Sequence, residues 1–293
     1  MNADEAADQT ISIVRVIVEQ YLKAFSVSCP VTGGYDSRMV LGLLQMIAPN
    51  LPCYTIRHHG VSENNPDLSV PRRIFADYRE HYRVFEDVEL PQDVTDWLDA
   101  VLGKGNYSQR TALIAHTIRT NLADHAIVNG DIAGQVGKVS LHRNIPNWLM
   151  GIRYYRCKLH NYSHSCLRVL NEWFRDANGQ SNTEVCDLFS IENRLGRWAA
   201  QENQIYDLLG VPYLNIFNCR RLIAAWTSVP RSQRKMTAIH QAVLLKVAPE
   251  LLSFGFPASL SARMAKKTDL IYWISSFVKF YYERTVFLVK GRA

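Results

Sequence analysis

The sequence predicts an α/β fold, a parallel-sheet core followed by a mostly helical C-terminal part. Three observations lead there. The alternating run Phe25, Val27, Cys29, Val31 enters the pair Gly33-Gly34, and the apolar helix pattern Met39, Val40, Leu43, Leu44 leaves it. Two further strand patterns, Pro52–His59 and Tyr82–Phe85, flank a helix pattern over Leu68–Tyr82. Strand, helix and strand in alternation at this spacing signal parallel pairing through right-handed crossovers. From Ile145 onward the composition turns helical and aromatic, with Trp148, Tyr154, Tyr155, Tyr162, Trp173 and Phe174. The domain expectation is therefore residues 1–144 for the α/β part and 145–293 for the helical part.

Ahead of the first strand, Ile11–Ala24 has apolar residues at helical spacing. Gly33-Gly34 suits positive φ or close ligand approach, because no Cβ intervenes. Asp36 or Ser37 is expected to cap the helix that follows. Loop and helix N-terminus then aim backbone N–H groups at one point, which suits phosphate. Pro71 is expected in the first turn of its helix. Helices are expected over Asp93–Gly103 and Thr111–Asp124, then a strand at His125–Val128 running into the loop Asn129–Lys138. Ligands of open α/β sheets bind at the carboxyl ends of the strands, so this loop is expected to meet the loop at Gly33. A helix over Ile191–Leu209 ends at Gly210.

The 293 residues, 47% hydrophobic and 20% charged, suffice for a real core without metal or disulfide staples. Net charge is +6. From Arg263 onward seven Lys and Arg face two acids, so the basicity is local, and a solvated helix face is its plainest reading. The six cysteines form no CxxC pair, and the acidic start, Met-Asn-Ala-Asp-Glu, lacks a signal-peptide pattern. Both point to a cytoplasmic protein with reduced thiols. Leu270–Val289 is the nearest approach to a spanning segment, but Lys279, Glu283 and Arg284 interrupt it. Cys157, His160, His164 and Cys166 crowd into ten residues, too close together to surround one zinc ion easily.

The string Thr32-Gly-Gly-Tyr-Asp-Ser-Arg38 is neither GxxxxGK[ST] nor GxGxxG. It resembles the SGGxDS signature of the PP-loop ATP pyrophosphatases, and within them the synthetase domain of the asparagine synthetase family. The resemblance runs from about Phe25 to Pro257. It implies a PP-loop nucleotide-binding core and ATP-dependent, AMP- and pyrophosphate-forming amide ligation. In that chemistry a carboxylate attacks the α-phosphate of ATP, and a nitrogen nucleophile then displaces AMP. The implied nucleotide-binding set is Thr32, Gly33, Gly34, Asp36, Ser37, Arg38, Ile56 on the second strand, and Gly130. Mg2+ would be held by Asp36 with Asp131. Lys235, which matches the family's lysine at a helix start, would stabilise developing negative charge, with Arg231 and Arg234 as neighbouring phosphate contacts.

Departures from the family pattern are local. In its second glycine-rich loop, G-x-G-A-D-E-x-x-G-G, Gly130 and Ala133 match, but Ile132 replaces the middle glycine. Gly134 and Gln135 occupy the places of the acidic pair, leaving Asp131 as the loop's only acid. Val211-Pro-Tyr-Leu-Asn215 sits where V-P-F-L-D is expected, with Leu208 for the preceding Glu and Gly210 for the Arg. Too few residues precede Phe25 for the family's glutaminase domain. The nitrogen is then an amine of a small-molecule or peptide substrate, or ammonia from a separate subunit. The alternative expectation is a catalytically degenerate nucleotide-binding or regulatory partner subunit of the same fold. RNA binding is disfavoured because no cysteine or zinc motif stands at suitable spacing.

Overall fold

The computed structural model describes residues 1–77, 79–138, 164–177 and 187–255, with single positions 185, 278, 282 and 285. The chain divides into two compact units, one of Met1–Lys138 with Leu195–Pro257, the other of Val139–Arg194 with Ala258–Ala293. The chain leaves the first unit after Lys138 and re-enters it at Leu195.

The first unit is built on a five-stranded sheet: β1 (Ser26–Pro30), β2 (Cys53–Arg57), β3 (Tyr82–Glu86), β4 (His125–Asn129) and β5 (Tyr213–Asn215). Their order is β3-β2-β1-β4-β5, and every pairing is parallel. Cys29 lies opposite Cys53, Val27 opposite Ala126, and Val128 opposite Leu214. The sheet therefore grows outward from β1 in two directions. The expected α/β class with a parallel sheet is what the chain adopts.

Helices cover both faces. On one lie α1 (Ala3–Ala24) and α2 (Tyr35–Gln45). Asn2 and Glu5 start α1 with a reciprocal capping box, and Ala3, Ala6, Ala7, Thr10, Val14 and Val18 form its buried stripe. α2 is buried continuously from Arg38 to Leu44, as a helix wedged between layers must be. Within this unit the chain continues through α3 (Pro66–Ile74), α4 (Gln92–Leu102), α5 (Gln109–Asn121), α6 (Ala200–Leu208), α7 (Arg220–Ser228), α8 (Arg231–Lys235) and α9 (Ala238–Val247). α1 packs on α9 and α7, and α2 packs on α9. The opposite face is closed by α4, α5 and α6 through Leu98, Ala112, Ala115, Ile118, Ile205 and Leu209, with Tyr54, Phe85 and Ile127 from the sheet.

Several expectations shift. α3 starts at an Asn65 cap, so Pro71 is inside the helix, which stops at Ile74 instead of Tyr82. Gly34, not Asp36 or Ser37, occupies the N-cap of α2, with φ −77° and no side-chain cap. Neither Gly33 nor Gly34 has positive φ. Asp36 and Ser37 are drawn away by partners described below. The helix expected over Ile191–Leu209 is wound as a π-helix from Phe189 to Ala199 before α6 begins. β5 is the strand that sequence reading missed. Three residues are too few to show a period of two, and its register comes from β4.

In the second unit, His164–Ala177 is a helix, and Trp173 Nε1 donates to Glu192 at 2.6 Å. The Trp173 ring meets Phe189 edge-on, centroids 5.5 Å apart. Cys157 and His160, the side chains of His164 and Cys166, the boundary expected near 144, and nearly all of Leu270–Val289 lie outside the described residues. No helix among the described residues is long and apolar enough to cross a membrane.

Candidate functional site

β1 and β4 are adjacent, yet their connections leave in opposite directions, β1 toward β2 and β4 toward β5. That reversal opens a crevice at the strand ends, where ligands of open α/β sheets bind. A cavity of about 320 Å³ occupies it, lined by Thr32, Gly34, Asp36 and Ser37 from the first loop and Gly130, Asp131, Gly134 and Gln135 from the second. The two loops expected to face each other do so.

The second loop approaches because its glycines allow it. A Cβ on Gly130 would stand 2.7 Å from a Val40 methyl, and one on Gly134 would stand 2.9 Å from Asp36 Oδ2. Gly130→Ala is therefore expected to force α2 and the loop apart and cost about 1–3 kcal/mol, read from a urea denaturation midpoint. Gly134 admits no side chain without moving the Asp36 carboxylate.

The first loop is internally bonded. Thr32 N–H donates to Ser37 Oγ at 3.0 Å, Gly33 N–H to Asp67 Oδ1 at 3.0 Å, and Gly34 N–H to Thr32 Oγ1 at 3.2 Å. Ser37 Oγ also lies within 3.2 Å of Thr32 O. The N–H groups expected to converge on one point are thus spent on side chains. The first turn of α2, whose N–H groups have no acceptor within the helix, is the remaining backbone donor. Asp67, which sequence reading did not single out, holds the loop from α3.

Arg38 does not line the cavity. Fully buried, it donates to Leu251 O at 2.7 Å, Gly255 O at 2.8 Å, Gly33 O at 3.2 Å and, through Nε, Gly34 O at 3.3 Å. Its role is to hold the loop from behind, a correction to its place among nucleotide contacts. Arg234 is likewise buried, with its guanidinium on Val229 O at 3.0 Å and Val136 O at 3.4 Å. Lys235 closes α8, and its side chain lies outside the described residues.

Asp36 has two cationic or cation-capable neighbours. Lys138 Nζ donates to Oδ2 at 2.6 Å. The fully buried His240 brings Nε2 within 2.9 Å of the buried Oδ1, off the hydrogen-bond axis. Burial pushes the Asp36 pKa up, but His240 and Lys138 outweigh it and hold the carboxyl well below the usual range. Asp131 Oδ2 accepts from the Tyr213 hydroxyl at 2.7 Å, and burial, opposed by that bond and aided by Asp36, raises its pKa.

These donors do not fit a protein-held magnesium ion. Magnesium needs carboxylate oxygens that face it together with phosphate oxygens. Here Oδ2 of Asp36 is taken by Lys138, Oδ1 is buried with His240 Nε2 at 2.9 Å, Asp131 Oδ2 is bonded to Tyr213, and Gly134 backbone stands against the Asp36 carboxylate. Among the described residues, no three His, Cys, Asp or Glu side chains gather as a metal site.

A second cavity of about 340 Å³ adjoins the first, with Pro30, Thr32 and Asn129 in both linings. Ile56 is in its lining, with Tyr54, Thr55, Ile114 and Arg110. Tyr206 and Tyr213 form a stacked pair in its wall, centroids 4.3 Å apart. Behind them stands Glu202, another residue that sequence reading passed over. It accepts from Thr111 Oγ1 at 3.0 Å. Burial, then the charge of Asp131, pushes its pKa up to about 7, against hydrogen bonds from Thr111 and Trp198.

Glu202 sets a pH dependence. Its folded pKa exceeds the ordinary 4.5, so the folded state holds this proton more tightly. That stabilisation is full below pH 4.5 and is lost as pH rises through about 7. Discounted for the partial exposure of the side chain, it amounts to ~1–2 kcal/mol. Glu202→Gln is expected to flatten the fall in denaturation midpoint across that window. Asp36 acts oppositely and elsewhere, losing stability as pH falls below its ordinary 3.8.

Fold and site together define an open, all-parallel α/β protein with a polar crevice at the strand-order reversal and an aromatic cleft beside it. Comparison of the chain with protein-family models and with curated proteins gives no match.

Proposed function

We propose that this chain binds ATP across the two cavities. The polyphosphate would lie in the crevice between Thr32–Ser37 and Gly130–Gly134, and the base against Ile56 and the Tyr206–Tyr213 pair. The observation that carries this reading is the crevice at the β1/β4 reversal, walled by the Thr-Gly-Gly-x-Asp-Ser turn. The likeness of that turn to the asparagine synthetase type of PP-loop core supports amide ligation as the activity. A substrate carboxylate would attack the α-phosphorus, pyrophosphate would leave, and an amine or externally supplied ammonia would then displace AMP from the acyl-adenylate. Lys235 is the proposed stabiliser of the developing charge. Free thiols at Cys29, Cys53 and Cys219 support a reducing, cytoplasmic setting.

A second reading, a nucleotide-binding partner subunit without turnover, is favoured by one specific observation. The carboxylate expected to hold metal has Lys138 bonded to Oδ2 and His240 Nε2 at 2.9 Å from Oδ1. Two measurements separate the readings. Calorimetry with ATP is expected to show binding, and carboxylate-dependent exchange of labelled pyrophosphate into ATP is expected for the ligase. Binding without exchange across a panel of small and peptide carboxylates selects the partner subunit. Absence of ATP binding ends both.

A further inference from the structure

Lys138 ends the first stretch of the first unit, directly after the π-helical turn Ala133–Gly137. That turn is pinned from behind. A Cβ on Gly137 would come within 3.1 Å of His240 and 3.2 Å of Trp226, both fully buried. The ammonium thereby reaches Asp36, a residue of the crevice lining, and meets its Oδ2 at 2.6 Å while the lysine side chain stays about 29% exposed. An ammonium carries three donors, and Asp36 takes one. His240 abuts the other oxygen of Asp36 and has no hydrogen-bond partner for Nδ1 among the described residues. The carboxylate is thus used as an anchor that aims a cation, and glycine backbone stands where another acid would be needed.

We propose that Lys138 takes the place of a divalent metal in this crevice, so that the site accepts polyphosphate as a metal-free anion. This rests on the nucleotide reading above and adds what neutralises the ligand. The argument is steric and electrostatic. A divalent ion at Asp36 must displace an ammonium held by a short, charge-assisted bond. The one other acid of the crevice lining, Asp131, already gives Oδ2 to the Tyr213 hydroxyl, and Gly134 offers only backbone. An incoming phosphate oxygen has no such conflict. It meets the remaining donors of Lys138 and the positive N-terminal end of α2. Asp36 positions Lys138, and His240 limits the reach of Asp36.

The test is calorimetry of the full chain with inorganic pyrophosphate and with ATP, each in EDTA and in excess magnesium. Wild type is expected to bind in EDTA with an affinity within about threefold of that in magnesium. Lys138→Met is expected to lose at least tenfold in EDTA and to recover part of it in magnesium, since Asp36 is then open to a cation. Lys138→Arg retains the charge and is expected to bind in EDTA. Thermal melts of both variants exclude unfolding. If Lys138→Met does not fold, wild type in EDTA against magnesium, with Lys138→Arg, still decides. Binding only in magnesium overturns the role of Lys138 while leaving the nucleotide reading intact. No binding in either buffer overturns the nucleotide reading and this proposal with it. Equal binding by wild type and Lys138→Met in EDTA also overturns the proposal.

Discussion

Replacing Arg38 with methionine is expected to cost about 3–5 kcal/mol of stability and, in the fraction that folds, to weaken ATP binding more than tenfold. The guanidinium makes four hydrogen bonds to carbonyls, two on the Gly33-Gly34 turn and two on Leu251 and Gly255 near the end of the first unit. Methionine fills much of the volume but leaves those acceptors buried and under-satisfied. Lysine is not expected to rescue the site, because a single ammonium cannot reproduce a planar fork that reaches separate carbonyls. Urea denaturation and ATP calorimetry read the two effects. A variant that keeps wild-type stability and loses only ATP affinity would place Arg38 against the nucleotide and end its assignment as a support.

The second large effect is expected at Trp226. Its side chain is fully buried, donates from Nε1 to Thr10 Oγ1 at 2.8 Å and packs on Phe217 with ring centroids 5.1 Å apart. Truncation to alanine empties the seam between α1 and α7 and is expected to cost ~3–5 kcal/mol. Trp226→Phe keeps most of the volume and loses the hydrogen bond, for about 1–2 kcal/mol. Because the indole also lies against Gly137, the alanine variant is expected to slacken the turn that carries Lys138. On the proposal above, pyrophosphate affinity in EDTA then falls more steeply for Trp226→Ala than for Trp226→Phe. Equal affinities would separate the turn from the packing behind it.

Much of the sheet was legible because its signals are local. β1 to β4 each carry an apolar run beside a turn or cap, and all four strands expected between Phe25 and Val128 form within a few residues of their expected ends. The Thr-Gly-Gly-x-Asp-Ser string and the loop after Val128 were likewise visible as candidates, and both line the crevice. The π-wound stretch Phe189–Ala199 was not legible, since apolar spacing alone does not separate neighbouring helical pitches. Asp67 and Glu202 escaped notice for a different reason. Each is an ordinary acid in an ordinary helix, and only tertiary placement brings one to Gly33 N–H and the other behind Tyr206 and Tyr213.

By itself, the sequence determined where this chain turns and where it extends. Backbone sterics and apolar periodicity act over a few residues, and the glycines, prolines and alternating runs carry them openly. Tertiary structure decided which charges meet. Arg38, Lys138 and His240 stand far apart along the chain from Leu251, or from the carboxylate of Asp36. Their pairing depends on the packing of α9 against α2 and on a turn whose Gly134 lies too close to the Asp36 carboxylate to carry a side chain. That packing, more than the motif, makes Asp36 the anchor of a lysine and Arg38 a support of the loop, because a charged side chain out of water must take the partner that the fold places beside it.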